Sequence, residues 1–187
     1  MATIQDAIKG PPTLTTASLL RGGPGAFGAP RGNGKTHQGV DIVSNQSSMD
    51  KSIYQVRATA DGLVAYAMIN GTASTGYGYT VAVDHQNGFY TLYAHLAINA
   101  SSGLAVLGQA VGQGDIIGYL ADLANGEKSS GNVLADVVAP YDKIQLHIEC
   151  FEAPAGRSST GALSDIKAGS ALDDPTTTLV SLGYSSF

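Results

Sequence analysis

Through the middle of the chain, apolar and polar residues alternate with the period of a strand rather than that of a helix. Val40-Asp41-Ile42-Val43, Ile53-Tyr54-Gln55-Val56-Arg57-Ala58-Thr59 and Leu63-Val64-Ala65-Tyr66-Ala67-Met68-Ile69 are β-branched or alternating, and Asp61-Gly62 separates the last two as a turn signal. Tyr79 to Asp84 and Phe89 to His95 flank His85-Gln86-Asn87-Gly88, so a hairpin is predicted there, with Asn87-Gly88 supplying the positive φ angles of its tight turn. Leu104-Ala105-Val106 and Ile116 to Leu120 predict further short strands around the polar turn Gly112-Gln113-Gly114-Asp115, and Lys143 to Cys150 predicts the last one.

The ends read differently. A short helix is predicted over Thr3 to Lys9, stopped by Gly10-Pro11-Pro12, and Asp173-Asp174-Pro175 opens a capped terminal helical turn over Thr176 to Leu182. Gly22-Gly23-Pro24-Gly25 and Ala29-Pro30 punctuate rather than build elements. Residues 1–21 are therefore read as an N-terminal arm on the surface and residues 22–187 as one domain, interrupted by a long connection from Asp122 to Asp142. The fold class is all-β: a compact antiparallel sheet domain with few short helices.

Composition agrees with short strands and tight turns. The 187 residues suffice for one self-sufficient core. They are 43% hydrophobic but only 13% charged, with 24 glycines and no tryptophan, against a charged share of about one quarter in ordinary globular chains. A net charge of -5 with no Lys/Arg run removes the electrostatic footprint of nucleic-acid binding. Cys150, the single cysteine, has no intramolecular disulfide partner. No apolar run approaches the length of a transmembrane helix, and the N-terminus lacks the basic and apolar regions of an export signal.

Candidate chemistry sits at both ends of the strand region. His37 and Asp41 on a fully extended strand would be roughly 13 Å apart at Cα, too far to share one ion comfortably, but a bend at Gly39 would bring both side chains to one side. Gln145, His147 and Glu149 alternate with Leu146, Ile148 and Cys150, so the polar three share one strand face. One zinc ion held by His37, Asp41 and His147, with water in the fourth position, would partner that stripe, and His95 could exchange a proton beside it. Each residue taken singly also has a structural reading. His95 could cap a hairpin edge, His147 could be a hydrogen-bonded interior histidine, His85 sits at a polar turn, and Cys150 is a small buried apolar side chain. Asp115, Asp122 and Asp142 read as loop carboxylates.

Taken together, His37-Gln38-Gly39-Val40-Asp41, Gly76-Tyr77-Gly78-Tyr79 leading to Tyr93-Ala94-His95-Leu96, and Gln145-Leu146-His147-Ile148-Glu149 resemble the motifs of the LytM/lysostaphin-type zinc metallopeptidases. Ala60-Asp61-Gly62-Leu63-Val64, Gly108-Gln109-Ala110-Val111 and Gly114-Asp115-Ile116-Ile117-Gly118 agree with the same family, and the likeness runs from about residue 22 to 182. The resemblance implies a sheet domain with an open groove across one Zn2+, His37, Asp41 and His147 as its ligands, and His95 as a catalytic histidine. It implies a monomeric bacteriolytic hydrolase that cuts peptide bonds in peptidoglycan cross-bridges or stem peptides. Such an enzyme acts in the periplasm or outside the cell, and without a visible signal it would be delivered by phage, secretion system or lysis, or have lost a leader.

Two departures matter. Gln145 stands where the family usually has a second catalytic histidine, and losing one acid/base partner or stabilising donor costs on the order of 10²–10³ in rate. An extra segment, Asn132 to Ile144, precedes the last motif and could reshape the groove. The alternative implied is a slow or inactive zinc-binding relative that serves as a cell-wall peptide-binding, regulatory or structural module of a phage or secretion apparatus.

Overall fold

The computed structural model describes residues 2–13, 15–44, 55–72, 75–97, 104–120, 145–154 and 162–186. Helix α1 (Ile4–Ala7) and strands β1 (Ser18–Leu20) and β2 (Val40–Ser44) come first. They are followed by β3 (Gln55–Arg57), β4 (Gly62–Thr72), β5 (Thr75–Asp84), β6 (Phe89–Leu96), β7 (Ala110–Val111) and β8 (Ile116–Tyr119). Then come β9 (Gln145–Glu152), α2 (Leu163–Lys167), β10 (Ala171–Asp173), α3 (Thr176–Ser181) and β11 (Ser185–Ser186).

One nine-stranded sheet runs in the order β11-β1-β2-β9-β6-β5-β4-β7, with β10 also paired to β9, and β3 and β8 form a second, two-stranded sheet. Every pairing is antiparallel except β1 with β11. The all-β class expected from the alternation is therefore the one observed, with three short α-helices among the described residues.

The large sheet is covered on both sides, which explains why its central strands β6 and β9 are buried along almost their whole length. On one side Val40, Ile42, Val64, Val81, Tyr93, Leu146 and Ile148 pack with Val56 and Ile117 of the small sheet. On the other, Ala65, Tyr66, Tyr90, Leu92, Ala94 and Phe151 pack with Leu163 and Ile166 of α2. The polar stripe of β9 lies on this second side, where the sheet is only partly covered by helix.

Three expectations change. Leu104 to Val106 joins no ladder: Ala105 N donates to Ile117 O at 3.0 Å, and Val106 bonds within its own turn to Gln109, while Ala110–Val111 pairs with β4. The β5–β6 hairpin forms, but its left-handed residues are Gln86 and Gly88 rather than Asn87 and Gly88. Side-chain bonds explain the shift: Asp84 Oδ1 accepts from Gln86 N at 2.7 Å, and Asn87 Oδ1 accepts from Phe89 N at 3.0 Å, which closes a wider turn. Finally, the segment expected to lie as an arm on the surface enters the core, where Ala7 and Ile8 are buried and β1 pairs with β2. The long connection from Asp122 to Asp142 lies outside the described residues.

Candidate metal centre

Neighbouring strands β2 and β9 set Asp41 directly opposite His147. His37 comes from the segment just before β2, and the chain bends at Gly39 between them. That glycine is required for a second reason: a Cβ there would lie 2.1 Å from the Ile148 backbone oxygen and 2.9 Å from Glu149 Cγ. The absent side chain lets the loop carrying His37 press against the strand carrying His147.

The hydrogen bonds around the two imidazoles fix their tautomers. His37 Nδ1 lies 2.9 Å from the Ala26 backbone oxygen, which only accepts, so Nδ1 carries the proton and Nε2 is a lone-pair donor. His147 Nε2 lies 3.0 Å from Glu149 Oε1, so in the neutral ring Nε2 carries the proton and Nδ1 is the lone-pair donor. These two bare nitrogens face each other at 2.9 Å, and Asp41 Oδ1 sits 3.2 Å from the first and 3.1 Å from the second. Two lone pairs and an anionic oxygen converging in a buried site require a cation. Protons supply it in part: burial pushes the Asp41 carboxyl up, but hydrogen bonds from His147 and His37 outweigh it and hold the group well below the usual carboxylate range. Burial alone would push His147 down, yet hydrogen bonds and charge from Asp41 and Glu149 hold its imidazole above the ordinary value. The three residues can also hold one metal ion, since a ligand atom from each lies within 4.8 Å of the others. Two imidazoles and a carboxylate suit zinc in a site that keeps a position open.

Glu149 extends the site outward. Its carboxylate is fully buried, and Oε1 also accepts from Tyr77 OH at 2.7 Å, while Oε2 receives Lys167 Nζ at 2.5 Å. Leu163 and Ile166 anchor α2 on the sheet, which brings Lys167 over the rings of Tyr77 and Phe151 at 4.9 and 5.9 Å. Lys167 Nζ donates to Gln38 Oε1 at 3.0 Å, and the Tyr77 hydroxyl oxygen lies 2.9 Å from the same atom, tying the His37 loop to the same group. Burial opposes ionisation of Glu149, but the bonds and charge of His147 and Lys167 keep its pKa below the usual range. Burial and the Glu149 charge push the Tyr77 phenol far up, so it remains a hydroxyl donor.

His95 reaches the centre through a β-bulge. Register with β5 shifts between the pairs Val81↔Tyr93 and Tyr79↔Leu96, and His95 takes the left-handed φ of 65°. One extra residue turns the alternation over: Leu92 and Ala94 face one core cluster, yet Tyr93 and Leu96 both face the other. His95 is thereby aimed at the cleft, its ring centroid 5.9 Å from that of His147. Gln145 lines the same cleft, buried, and its Oε1 has no hydrogen-bond partner among the described residues. The cleft holds about 370 Å3 and is also lined by Arg21 and Arg31.

All five singled-out residues, His37, Asp41, His95, Gln145 and His147, thus meet in one place. His85 does not. It is buried beside the hairpin, with Nδ1 2.9 Å from Asp61 O and Nε2 2.8 Å from Thr91 Oγ1, and burial lowers its pKa. Cys150 points to the opposite, apolar side of β9, and Asp115 accepts from Gly112 N in a loop. Lys167, Arg21 and Arg31 escaped the sequence reading, because nothing in their local pattern signals a contact made across ten or more residues of chain.

A sequence model of peptidase family M23 matches residues 35–143, more than half of the chain. The DD-carboxypeptidase/endopeptidase Mpg of Neisseria meningitidis serogroup B is 34% identical over 86 residues, 46% of this chain and 16% of Mpg. The cell division protein DipM of Caulobacter vibrioides is 31% identical over 151 residues, 75% of this chain and 20% of DipM. The chain therefore spans about a fifth or less of the length of these relatives. The solution structure of lysostaphin superposes with a TM-score of 0.54 at 19% identity, over 96% of this chain and 57% of lysostaphin. The crystal structure of CbpA from L. salivarius REN gives 0.50 at 20% identity, over 86% of this chain and 87% of CbpA. The fold and the matched motifs agree, and the chain belongs to peptidase family M23.

Proposed function

We propose that the chain is a zinc-dependent endopeptidase that cuts peptide bonds in bacterial peptidoglycan, with His37, Asp41 and His147 as ligands of one ion. The observation that carries this reading is the convergence of His37 Nε2, His147 Nδ1 and Asp41 Oδ1, each other ring nitrogen being committed as a donor. Zinc held there would polarise a peptide carbonyl and a water molecule. His95, aimed at the cleft by its bulge, takes a proton from the attacking water and returns one to the leaving amine. Gln145 offers hydrogen bonds to the developing oxyanion but no proton exchange. Tyr77 lines the cleft as a neutral donor. The substrate class is supported by Mpg, whose name describes a DD-carboxypeptidase/endopeptidase, and the place of action is then the cell wall.

Gln145 favours one second reading, a zinc-binding relative with slow or no turnover. Digesting purified peptidoglycan with zinc-loaded and zinc-free protein, and reading the fragments by mass, separates the two. New amine and carboxyl ends that depend on zinc are expected; their absence with fully loaded protein would leave the binding role.

A further inference from the structure

One side chain outside the proposed ligand set touches the segments that carry both of its histidines. Lys167, the last residue of α2, has an ammonium with three N–H donors, and three acceptors surround it. Glu149 Oε2 lies 2.5 Å from Nζ, Gln38 Oε1 3.0 Å and the Tyr77 hydroxyl oxygen 3.0 Å. They come from β9, from the loop beside His37 and from β5, so one point charge pins three segments that are distant in sequence. With Oε2 taken by Lys167, the other Glu149 oxygen is turned to His147 Nε2 at 3.0 Å and to the Tyr77 hydroxyl at 2.7 Å. Glu149 is fully buried, and a carboxylate there needs a cation beside it, which Lys167 supplies.

The Lys167 backbone is fixed as well. Leu163 and Ile166 seat α2 on the sheet, and Ser170 N and Oγ both donate to Lys167 O, at 3.0 and 2.6 Å. Strand β10 follows at once, with Asp173 in register opposite Cys150, the neighbour of Glu149. The strand that carries Glu149 therefore also carries the segment that neutralises it.

We propose that Lys167 is a positioning residue of the metal centre, acting at one remove from the ligands by holding Glu149 against His147. The inference rests on the metal reading above and adds a residue to it. An opposing effect exists, because an ammonium repels a dication. Glu149 stands between the two, bonded to Lys167 through one oxygen and to His147 through the other, and offsets that repulsion, so the loss of position dominates when Lys167 is removed.

Lys167→Met keeps most of the aliphatic stem over Tyr77 and Phe151 and removes the ammonium. Zinc affinity is measured by competition with a chelating dye, site geometry by the visible spectrum of cobalt-substituted protein, and folding by chemical denaturation of the zinc-free form. Lys167→Met should bind zinc on the order of 10-fold more weakly and shift the cobalt bands, and Lys167→Arg should recover part of both. Because the effect runs through Glu149, adding Lys167→Met to Glu149→Gln should weaken zinc by no more than about 2-fold beyond Glu149→Gln alone. That pair buries no lone charge, so it decides the matter even where Lys167→Met by itself is too unstable to load. Unchanged or tighter zinc binding in Lys167→Met, or a full second loss in the double variant, would overturn the proposal. Lower stability with affinity and spectrum unmoved would mean that Lys167 only docks α2. Wild-type protein that holds no zinc would remove the metal reading too, whereas wild-type loading with an unmoved Lys167→Met removes this inference alone.

Discussion

At the residue scale, the centre depends on which ring nitrogen of each histidine is kept bare. Glu149 does this for His147, and Lys167 and Tyr77 hold Glu149 in turn. Glu149→Ala should therefore weaken zinc binding by about 10–100-fold, the usual cost of losing the partner behind a metal-bound histidine, and Glu149→Gln, which keeps an acceptor, should cost less. Titration against a chelating dye measures both, and unchanged affinity in the alanine variant would count against the tautomer argument. His37→Ala and His147→Ala should lose stoichiometric zinc outright. The pH dependence has a definite sign. Because the His147 pKa is raised in the folded protein, its stabilising protonation is fully present below the ordinary imidazole value and is lost as pH rises through the higher one. Zinc must displace that proton, so binding at neutral pH should release protons, seen as a buffer-dependent heat, and affinity should fall with acid. Gln145→His adds a group that can exchange protons in the cleft, and peptidoglycan cleavage should rise; a flat response would place the limit elsewhere.

At the element scale, two local irregularities build the site, and they differ in how far the sequence discloses them. The bend at Gly39 was legible, since His37 and Asp41 cannot otherwise share an ion, and so was the polar face of β9, because alternation needs no knowledge of neighbours. The closeness of Gly39 to Ile148 was not, since it depends on which strand lies alongside β2. The bulge at His95 was equally hidden: Phe89 to Leu96 reads as an uninterrupted strand, and only the register with β5 reveals the extra residue. Leu104 to Val106 misled for the converse reason, because apolar residues beside a sheet need not join its ladder. Gly39→Ala tests the closeness directly. Its methyl would overlap a backbone oxygen, which cannot rotate away, so β2 must shift from β9. Destabilisation of about 1–3 kcal/mol is expected from such overpacking, with zinc affinity reduced as Asp41 moves off His147, both measurable by denaturation with and without zinc. A variant with wild-type stability and affinity would mean that the loop has room the structure does not show.

At the scale of the whole molecule, the N-terminal segment is part of the machinery that places His95. Ala7 O accepts from Thr59 Oγ1 at 2.7 Å, and Thr59 in turn bonds the Tyr93 hydroxyl through both its backbone N and its Oγ1, each at 2.8 Å. Tyr93 is buried on β6 two residues before the bulge. Lys9 N and Gly10 N both donate to Thr59 O, at 3.0 and 2.8 Å, so α1 is clasped from either side of that threonine. Ile8 closes the contact and is 2% exposed within the main core cluster. Its replacement by alanine should cost about 2–5 kcal/mol, the range for removing a fully buried aliphatic side chain. Were the segment only a surface arm, the same change would cost well under 1 kcal/mol. Chemical denaturation distinguishes these outcomes, and zinc content separates stability from site geometry. Ile8→Ala protein, assayed where it is still folded, should bind one zinc because the proposed ligands lie on β2, on the segment just before it and on β9, yet cleave more slowly because loosening Tyr93 loosens the bulge that aims His95. Unaltered cleavage by a clearly destabilised variant would show that β6 holds its bulge without help from the chain's first residues.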